Sequence, residues 1–163
     1  MTLAQASSGG DTSLLLVIAI GGGLTASNVM VHAVGSAILI QWVPGLAHRW
    51  MARAKHWGAI GILLLVASGM LLLHIIEVVI WALAYLFLTP ITQIPDFETA
   101  LYFSGSTYTT VGYGDITLET DWRLLTSFEA MAGMLLLGWS TALLFATLRE
   151  ILRKLGHETK ALE

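Results

Sequence analysis

Three long apolar stretches divide the chain, and each is long enough to cross a lipid bilayer as a helix. The hydrocarbon core of a bilayer is roughly 30 Å thick, which takes about 20 helical residues. The first stretch has no charged residue between Asp11 and Arg49, Glu77 is the only charge inside the second, and Glu129 is the only charge between Arg123 and Arg149 in the third. The predicted membrane helices are residues 14–40, 57–88 and 122–148.

The composition agrees with a chain whose main solvent is lipid. Of 163 residues, 56% are hydrophobic and 12% are charged, and the mean hydropathy is +0.76. Soluble domains carry about 25% charged residues, so a water-soluble globule is excluded. The absence of cysteine excludes disulfides and thiolate metal sites. The net charge of -3 leaves no basic face for nucleic acid. These features predict an all-α membrane protein.

The charges also predict an orientation, because Lys and Arg collect on the cytoplasmic side of a membrane. Seven of the eight basic residues fall between the first two helices or after the third: Arg49, Arg53, Lys55, Arg149, Arg153, Lys154 and Lys160. Acidic residues dominate the other side: Asp11, Asp96, Glu98, Asp115, Glu119 and Asp121. We predict an extracellular tail over 1–13, a basic cytoplasmic loop over 41–56 and a short cytoplasmic tail over 149–163, in the inner (plasma) membrane. The basic residues are also suited to contact anionic lipid.

The segment between the second and third helices is too polar to span the membrane. Its many aromatic and small residues indicate that it folds and is not an unstructured loop. Asp96 is a suitable N-cap and Glu98 suits the first turn, so we predict a short helix over 97–108. The run Thr-Thr-Val-Gly-Tyr-Gly-Asp follows it over 109–115. Glycine adopts positive φ values without a steric cost, so Gly112 and Gly114 allow neighbouring carbonyls to turn the same way.

Such a row of carbonyls suits one task, the binding of a dehydrated cation. A potassium ion leaves water only where oxygens replace its hydration shell, and stacked rings of backbone carbonyls can do so. The ligands for potassium would be the carbonyls of Thr110, Val111, Gly112 and Tyr113, with the Thr110 hydroxyl at the inner end. Non-helical backbone at membrane depth is tolerated only where it is buried or lines water.

The run 109–115 resembles, letter for letter, the selectivity filter of tetrameric potassium channels, and the resemblance extends over about residues 58–148. It implies a pore domain over 57–148, with an outer helix, a re-entrant pore helix, the filter and an inner helix in the ranges given above. One chain supplies one filter strand and a closed pore needs four, so the resemblance implies a homotetramer. The expected function is passive, potassium-selective conduction by a prokaryotic-type (bacterial) channel. No cofactor, soluble partner or nucleic acid is expected.

The resemblance also suggests residues that support the filter. Tyr102 is placed to hydrogen-bond Asp115 behind the filter, and Ser106 stands where some bacterial members carry glutamate. Ionisable residues inside a membrane are costly and often functional. At about 1.5 Å per helical residue, Glu77 and Glu129 lie in the outer half of the membrane near the pore helix. They either brace the filter and make conduction pH-dependent or are neutral packing carboxyls.

The inner helix contains candidates for a gate. Gly133 and Gly138 resemble hinge glycines of the family, although small residues at helix crossings also serve ordinary packing. The four-residue spacing of Leu137, Thr141 and Phe145 predicts a pore-facing row. No helix has the repeated arginines of a voltage sensor, so we expect gating to reside in the membrane part.

Other polar residues of the membrane helices leave alternatives open. Thr25, Asn28, His32 and Ser36 form a stripe on the first helix, which indicates interhelical hydrogen bonding. His74 and Glu77 are too few ligands for zinc, and no second histidine is expected at their depth, so no transition-metal site is predicted. The sequence shows no nucleophile with a base and no phosphate loop, so an enzyme is not expected. The alternatives are a nonselective cation channel, a non-conducting membrane subunit, and a haem-binding membrane protein that uses His32 and His74.

Overall fold

The computed structural model describes residues 3–87, 93–118 and 122–160, with side chains over 14–54, 56–87, 93–118 and 122–155. Within these ranges every regular element is a helix and none is a strand, while residues 93–96 and 109–118 are not helical. The helices are α1 (Leu3–Arg53), α2 (Lys55–Phe87), α3 (Phe97–Tyr108) and α4 (Arg123–Lys160). Three segments are long and apolar enough to cross a membrane: Leu14–Arg53, His56–Phe87 and Arg123–Leu155.

Two helices are longer than the sequence predicts. α1 begins at Leu3 and continues to Arg53, so most of the predicted tail 1–13 and loop 41–56 is helical. Pro44 removes one backbone hydrogen bond, yet the helix continues through it. Charged residues indicate where a helix leaves the membrane. The helix can continue beyond that point, so the charges do not indicate its last residue. A break of one residue at Ala54 separates α1 from α2.

The predicted tail 149–163 is likewise helical as far as Lys160. Glu150 lies 2.8 Å from Arg153 and 3.6 Å from Lys154, spacings that pair side chains on one helix face. All three side chains are exposed, so these pairs add little stability. α4 therefore extends past the predicted end at residue 148.

The short helix α3 has the bounds that the sequence predicts. The Asp96 carboxylate accepts a hydrogen bond from the Thr99 backbone N–H at 2.8 Å, which confirms it as the N-cap. The same contact lowers the pKa of Asp96. At the other end, the Thr109 backbone N–H donates to the Gly105 carbonyl. Local capping thus sets where α3 begins and ends.

The chain forms two compact units, of which the first contains residues 1–31 and 75–135 and the second residues 32–74 and 136–163. In the first unit, α3 packs against apolar side chains of α1, α2 and α4. The Tyr85 and Phe103 rings meet edge to face, with centroids 5.1 Å apart. The core of this unit is Val17, Trp81, Ala82, Tyr85, Ile94, Ala100, Phe103, Tyr108, Leu118 and Leu125.

The second unit has its own apolar core, contributed by α1, α2 and α4. Its buried residues are Ala47, Ala59, Ile62, Val66, Met70 and Ile151. Three polar side chains of this unit, His32, Ser36 and Ser140, are also buried. Buried polar groups need hydrogen-bonding partners, so these positions are candidates for a specific role.

Candidate functional site

The run 109–115 leaves α3 with an unusual backbone. φ is positive at Thr110 (61°), Gly112 (55°) and Gly114 (79°), whereas Val111 and Tyr113 between them have no positive φ. The predicted positive φ values of both glycines are confirmed. The positive φ of Thr110 is not predicted by the sequence, because a β-branched residue is strained there by about 1–3 kcal/mol.

This alternation of φ determines the direction in which the backbone carbonyl groups of the segment point. In an ordinary strand, neighbouring residues point to opposite faces. Residues that alternate between left- and right-handed conformations turn successive N–H groups to one side, which sends the carbonyls to the other. The alternating sign of φ over residues 110–114 therefore favours a row of aligned carbonyl oxygens.

Hydrogen bonds tie this segment to the last turns of α3. The Thr110 N–H donates to the Thr107 carbonyl at 2.9 Å, and the Gly112 N–H donates to the Ser106 carbonyl at 3.1 Å. The Thr109 hydroxyl donates to the Gly105 carbonyl at 2.7 Å. Ser106, a predicted support residue, thus reaches the segment through its backbone oxygen, while its hydroxyl donates to the Phe103 carbonyl at 3.0 Å.

Tyr102 and Asp115 are joined across the segment by the hydrogen bond that the sequence predicts. The Tyr102 hydroxyl donates to Asp115 Oδ2 at 2.7 Å, and this contact raises the pKa of Tyr102. The Tyr102 ring also stacks on Tyr113, with centroids 6.2 Å apart and planes 5° from parallel. Asp115 in turn accepts the Ile116 N–H at 3.1 Å. The segment is therefore held at both its ends by α3.

The Glu129 carboxyl group lies fully buried where α2, α3 and α4 meet. Its Oε2 accepts a hydrogen bond from the Tyr85 hydroxyl at 2.7 Å, and its Oε1 lies 2.5 Å from Ser104 Oγ. Ser104 Oγ is also 2.9 Å from the Val78 carbonyl oxygen. One carboxyl group thus links three helices through hydrogen bonds.

Glu77 makes a similar contact with α3, at a residue one helical turn after Ser104. It is fully buried, and its Oε2 accepts a hydrogen bond from the Tyr108 hydroxyl at 2.5 Å. The Asn28 amide of α1 lies 3.5 Å from the Glu77 carbonyl oxygen. The two membrane carboxyls therefore both bond to α3, at Ser104 and at Tyr108.

The hydroxyl groups that bond to the two carboxyls belong to candidate functional residues that the sequence pattern did not reveal. Ser104, Tyr85 and Tyr108 carry hydroxyls in apolar surroundings, but an amphipathic aromatic or a serine in a membrane helix has many ordinary roles. The two glutamates are the signal in the sequence that points to such partners, since a buried carboxyl group requires hydrogen-bond donors nearby.

The candidate gate residues behave differently from one another. A Cβ on Gly133 would overlap the Tyr108 carbonyl oxygen, so Gly133 permits the close packing of α4 on the end of α3. A Cβ on Gly138 would meet nothing within 4 Å. Leu137, Thr141 and Phe145 are all exposed, with Phe145 at 66%. The packing explanation thus accounts for Gly133 and leaves Gly138 as the candidate hinge.

The two histidines of the haem alternative lie together in the second unit. The rings of His32 and His74 stack with centroids 5.3 Å apart, and Ser140 Oγ lies within hydrogen-bonding distance of both. The expectation that no second histidine accompanies His74 is therefore wrong.

Comparison with known proteins supports an ion channel. Residues 73–150, just under half of the chain, match the family model described as "Ion channel". The matched range contains α3, the segment 109–115, both buried glutamates and the candidate gate residues. No curated protein and no solved structure matches the chain. The chain is thus an all-helical membrane protein that is similar to ion channels over residues 73–150.

Proposed function

We propose that this chain is one subunit of a homotetrameric, potassium-selective channel. The observation that carries the proposal is the alternation of φ over residues 110–114, in a segment hydrogen-bonded to the end of a capped short helix. The similarity of residues 73–150 to ion channels supports it. In this proposal α3 is the pore helix, residues 109–115 are the filter, α2 is the outer helix and α4 is the inner helix.

Potassium would bind in the filter between rings of backbone oxygens. Carbonyls of Thr110, Val111, Gly112 and Tyr113 from four chains replace the hydration shell, and Gly114 closes the outer end. The Thr110 hydroxyl adds an oxygen at the inner end. The C-terminal end of each pore helix carries a partial negative charge, which favours a cation in the cavity below. Conduction through the filter needs no cofactor, since the permeant ion is the only ligand that the filter binds.

The exposure of the filter side chains favours an assembly over an isolated chain. Val111 is 54% and Tyr113 69% exposed in the single chain, although in a pore both must be held away from the ion path. A neighbouring copy can cover them, because rotational symmetry brings the same segment of each chain to one axis. Phe145 on the inner helix is exposed in the same way.

The remaining features follow from the charge distribution and the gate residues. The distribution of basic residues favours a cytoplasmic C-terminus and an external N-terminus in the inner membrane, with the basic residues close to anionic lipid headgroups. Gating is intrinsic to the membrane domain. It uses the row of Leu137, Thr141 and Phe145, with Gly138 rather than Gly133 as the flexible point.

Flux measurements on the purified full chain in liposomes test this function. We expect potassium efflux that barium blocks, and a reversal potential in mixed potassium and sodium that follows potassium. Mass measurement in detergent should give four chains per particle. Equal permeation of sodium would instead favour the nonselective channel, and a haem absorbance band without flux would favour the haem protein.

Hydrogen-bond accounting at Glu129 supports the proposed pH modulation. Ser104 has one hydroxyl proton but lies near two acceptors, the Val78 carbonyl and Glu129 Oε1. Both contacts are satisfied when Glu129 carries a proton and donates it to Ser104 Oγ, which then donates to Val78. Loss of that proton would leave one contact without a hydrogen, which loosens α3 beside the filter.

Replacing Glu129 with glutamine should therefore remove a pH response while keeping the current. The glutamine amide donates to Ser104 and its oxygen accepts from Tyr85, which reproduces the protonated acid. We expect the wild-type potassium current to fall as pH rises, and Glu129→Gln to stay constant. The control is Glu150→Gln, an exposed carboxylate on the same helix, which should respond like the wild type. An unchanged pH response of Glu129→Gln would contradict the proposed role.

A further inference from the structure

Four side chains of the second unit converge on one point inside the helices. Ser140 Oγ of α4 lies 2.9 Å from His74 Nε2, 3.3 Å from His32 Nε2 and 3.4 Å from Met70 Sδ. Met70 and His74 stand four residues apart on α2, which places them on the same helix face. His32 comes from α1. Two imidazole nitrogens and a thioether sulfur therefore surround a single position.

This set of donors is selective in its chemistry. Thioether sulfur is a soft ligand that suits Cu(I), and imidazole binds copper well, whereas Mg²⁺ and Ca²⁺ require oxygen. The site is also dry: His32 is fully buried, and Met70 and Ser140 are 4% and 8% exposed. A monovalent ion costs less to bury than a divalent one, which again favours Cu(I).

The geometry permits coordination after a small contraction. The ligand nitrogens of His32 and His74 lie within 4.8 Å of each other. Metal–nitrogen and metal–sulfur bonds of about 2.0 and 2.3 Å require each donor to approach the central position by about 1 Å. The Ser140 hydroxyl now holds that position, and it can rotate to a backbone carbonyl of its own helix, as serine does inside helices.

We propose that His32, His74 and Met70 form a three-coordinate Cu(I) site that ties α1 to α2 and displaces the Ser140 hydroxyl of α4. Cu(I) takes the place of the hydroxyl at the point where the three donor atoms meet. The site uses none of the residues of the proposed filter and does not depend on ion conduction.

Competition for Cu(I) tests the site on the full chain in detergent, without oxygen. Bathocuproine disulfonate serves as the competing chelator. We expect one Cu(I) per chain in the wild type and an affinity lower by at least about tenfold in Met70→Leu, which keeps the side-chain volume. The matched controls are Met131→Leu and His48→Gln, since both residues are exposed and lie outside the cluster. Both should bind Cu(I) as the wild type does.

X-ray absorption at the copper edge provides a measurement that a merely structural role would not change. The wild type should show two nitrogen neighbours and one sulfur neighbour, and Met70→Leu should lose the sulfur. His74→Gln should lose one nitrogen. If His74→Gln fails to fold, the spectrum of Met70→Leu still decides the question. Wild-type copper without a sulfur neighbour, or equal Cu(I) affinity in Met70→Leu, would overturn the site.

Discussion

Replacing Gly112 with alanine should abolish potassium conduction while leaving the chain folded. Gly112 has a φ of 55°, and a Cβ there would meet nothing within 4 Å. Within one chain, the effect therefore comes from the backbone conformation and not from a clash. A left-handed alanine is strained by about 1–2 kcal/mol, and the chain relieves this strain by turning the peptide. In the proposed tetramer, each turned peptide removes one carbonyl from a ring of ion ligands, and the same change in all four chains disrupts the whole ring.

A second glycine offers a matched control for this substitution. Gly22 also has open space around its Cβ position, but its backbone is helical. Gly22→Ala should conduct like the wild type, because alanine is favoured in a helix by about 1 kcal/mol over glycine. The measurement is potassium flux from liposomes at equal protein content. Selective flux through Gly112→Ala at the wild-type rate would remove the basis for the filter.

Local signals allowed much of α3 and of the segment 109–115 to be predicted from the sequence. The N-cap at Asp96 and the bounds of α3 follow from residues within one turn of the helix ends. The positive φ values of Gly112 and Gly114 follow from the missing Cβ. Thr110 could not be predicted in the same way, because its strained φ is imposed by hydrogen bonds to α3 and not by its own preference.

The contacts within the membrane depend on residues far apart in the sequence. Charge alone marked Glu77 and Glu129 as costly, but it could not show that Tyr108, Ser104 and Tyr85 satisfy them. The ends of α1 and α4 could not be predicted either, because a helix that leaves the membrane does not have to stop there. His32 and His74 belong to different helices, so no local pattern in the sequence could reveal that their rings stack.

Replacing Gly133 with alanine is expected to destabilise the protein more than any substitution at the other candidate gate positions. The added Cβ would overlap the Tyr108 carbonyl oxygen, a backbone atom that cannot rotate aside. α4 must therefore move away from α3. Overpacking of this kind costs about 1–3 kcal/mol per chain. The displaced end of α3 also carries the carbonyls that accept hydrogen bonds from the proposed filter, so conduction should fall together with stability.

Gly138 lies on the same helix as Gly133, and comparing alanine variants at the two positions distinguishes an effect on packing from an effect on flexibility. Alanine at Gly138 has open space, and the helix gains about 1 kcal/mol from it, so Gly138→Ala should keep or raise the thermal unfolding temperature. Gly133→Ala should lower it clearly under the same conditions. If Gly138 is the hinge, its alanine variant should open less often while remaining stable. Equal unfolding temperatures for the two variants would show that α4 does not depend on close contact with Tyr108, which would contradict the packing role of Gly133.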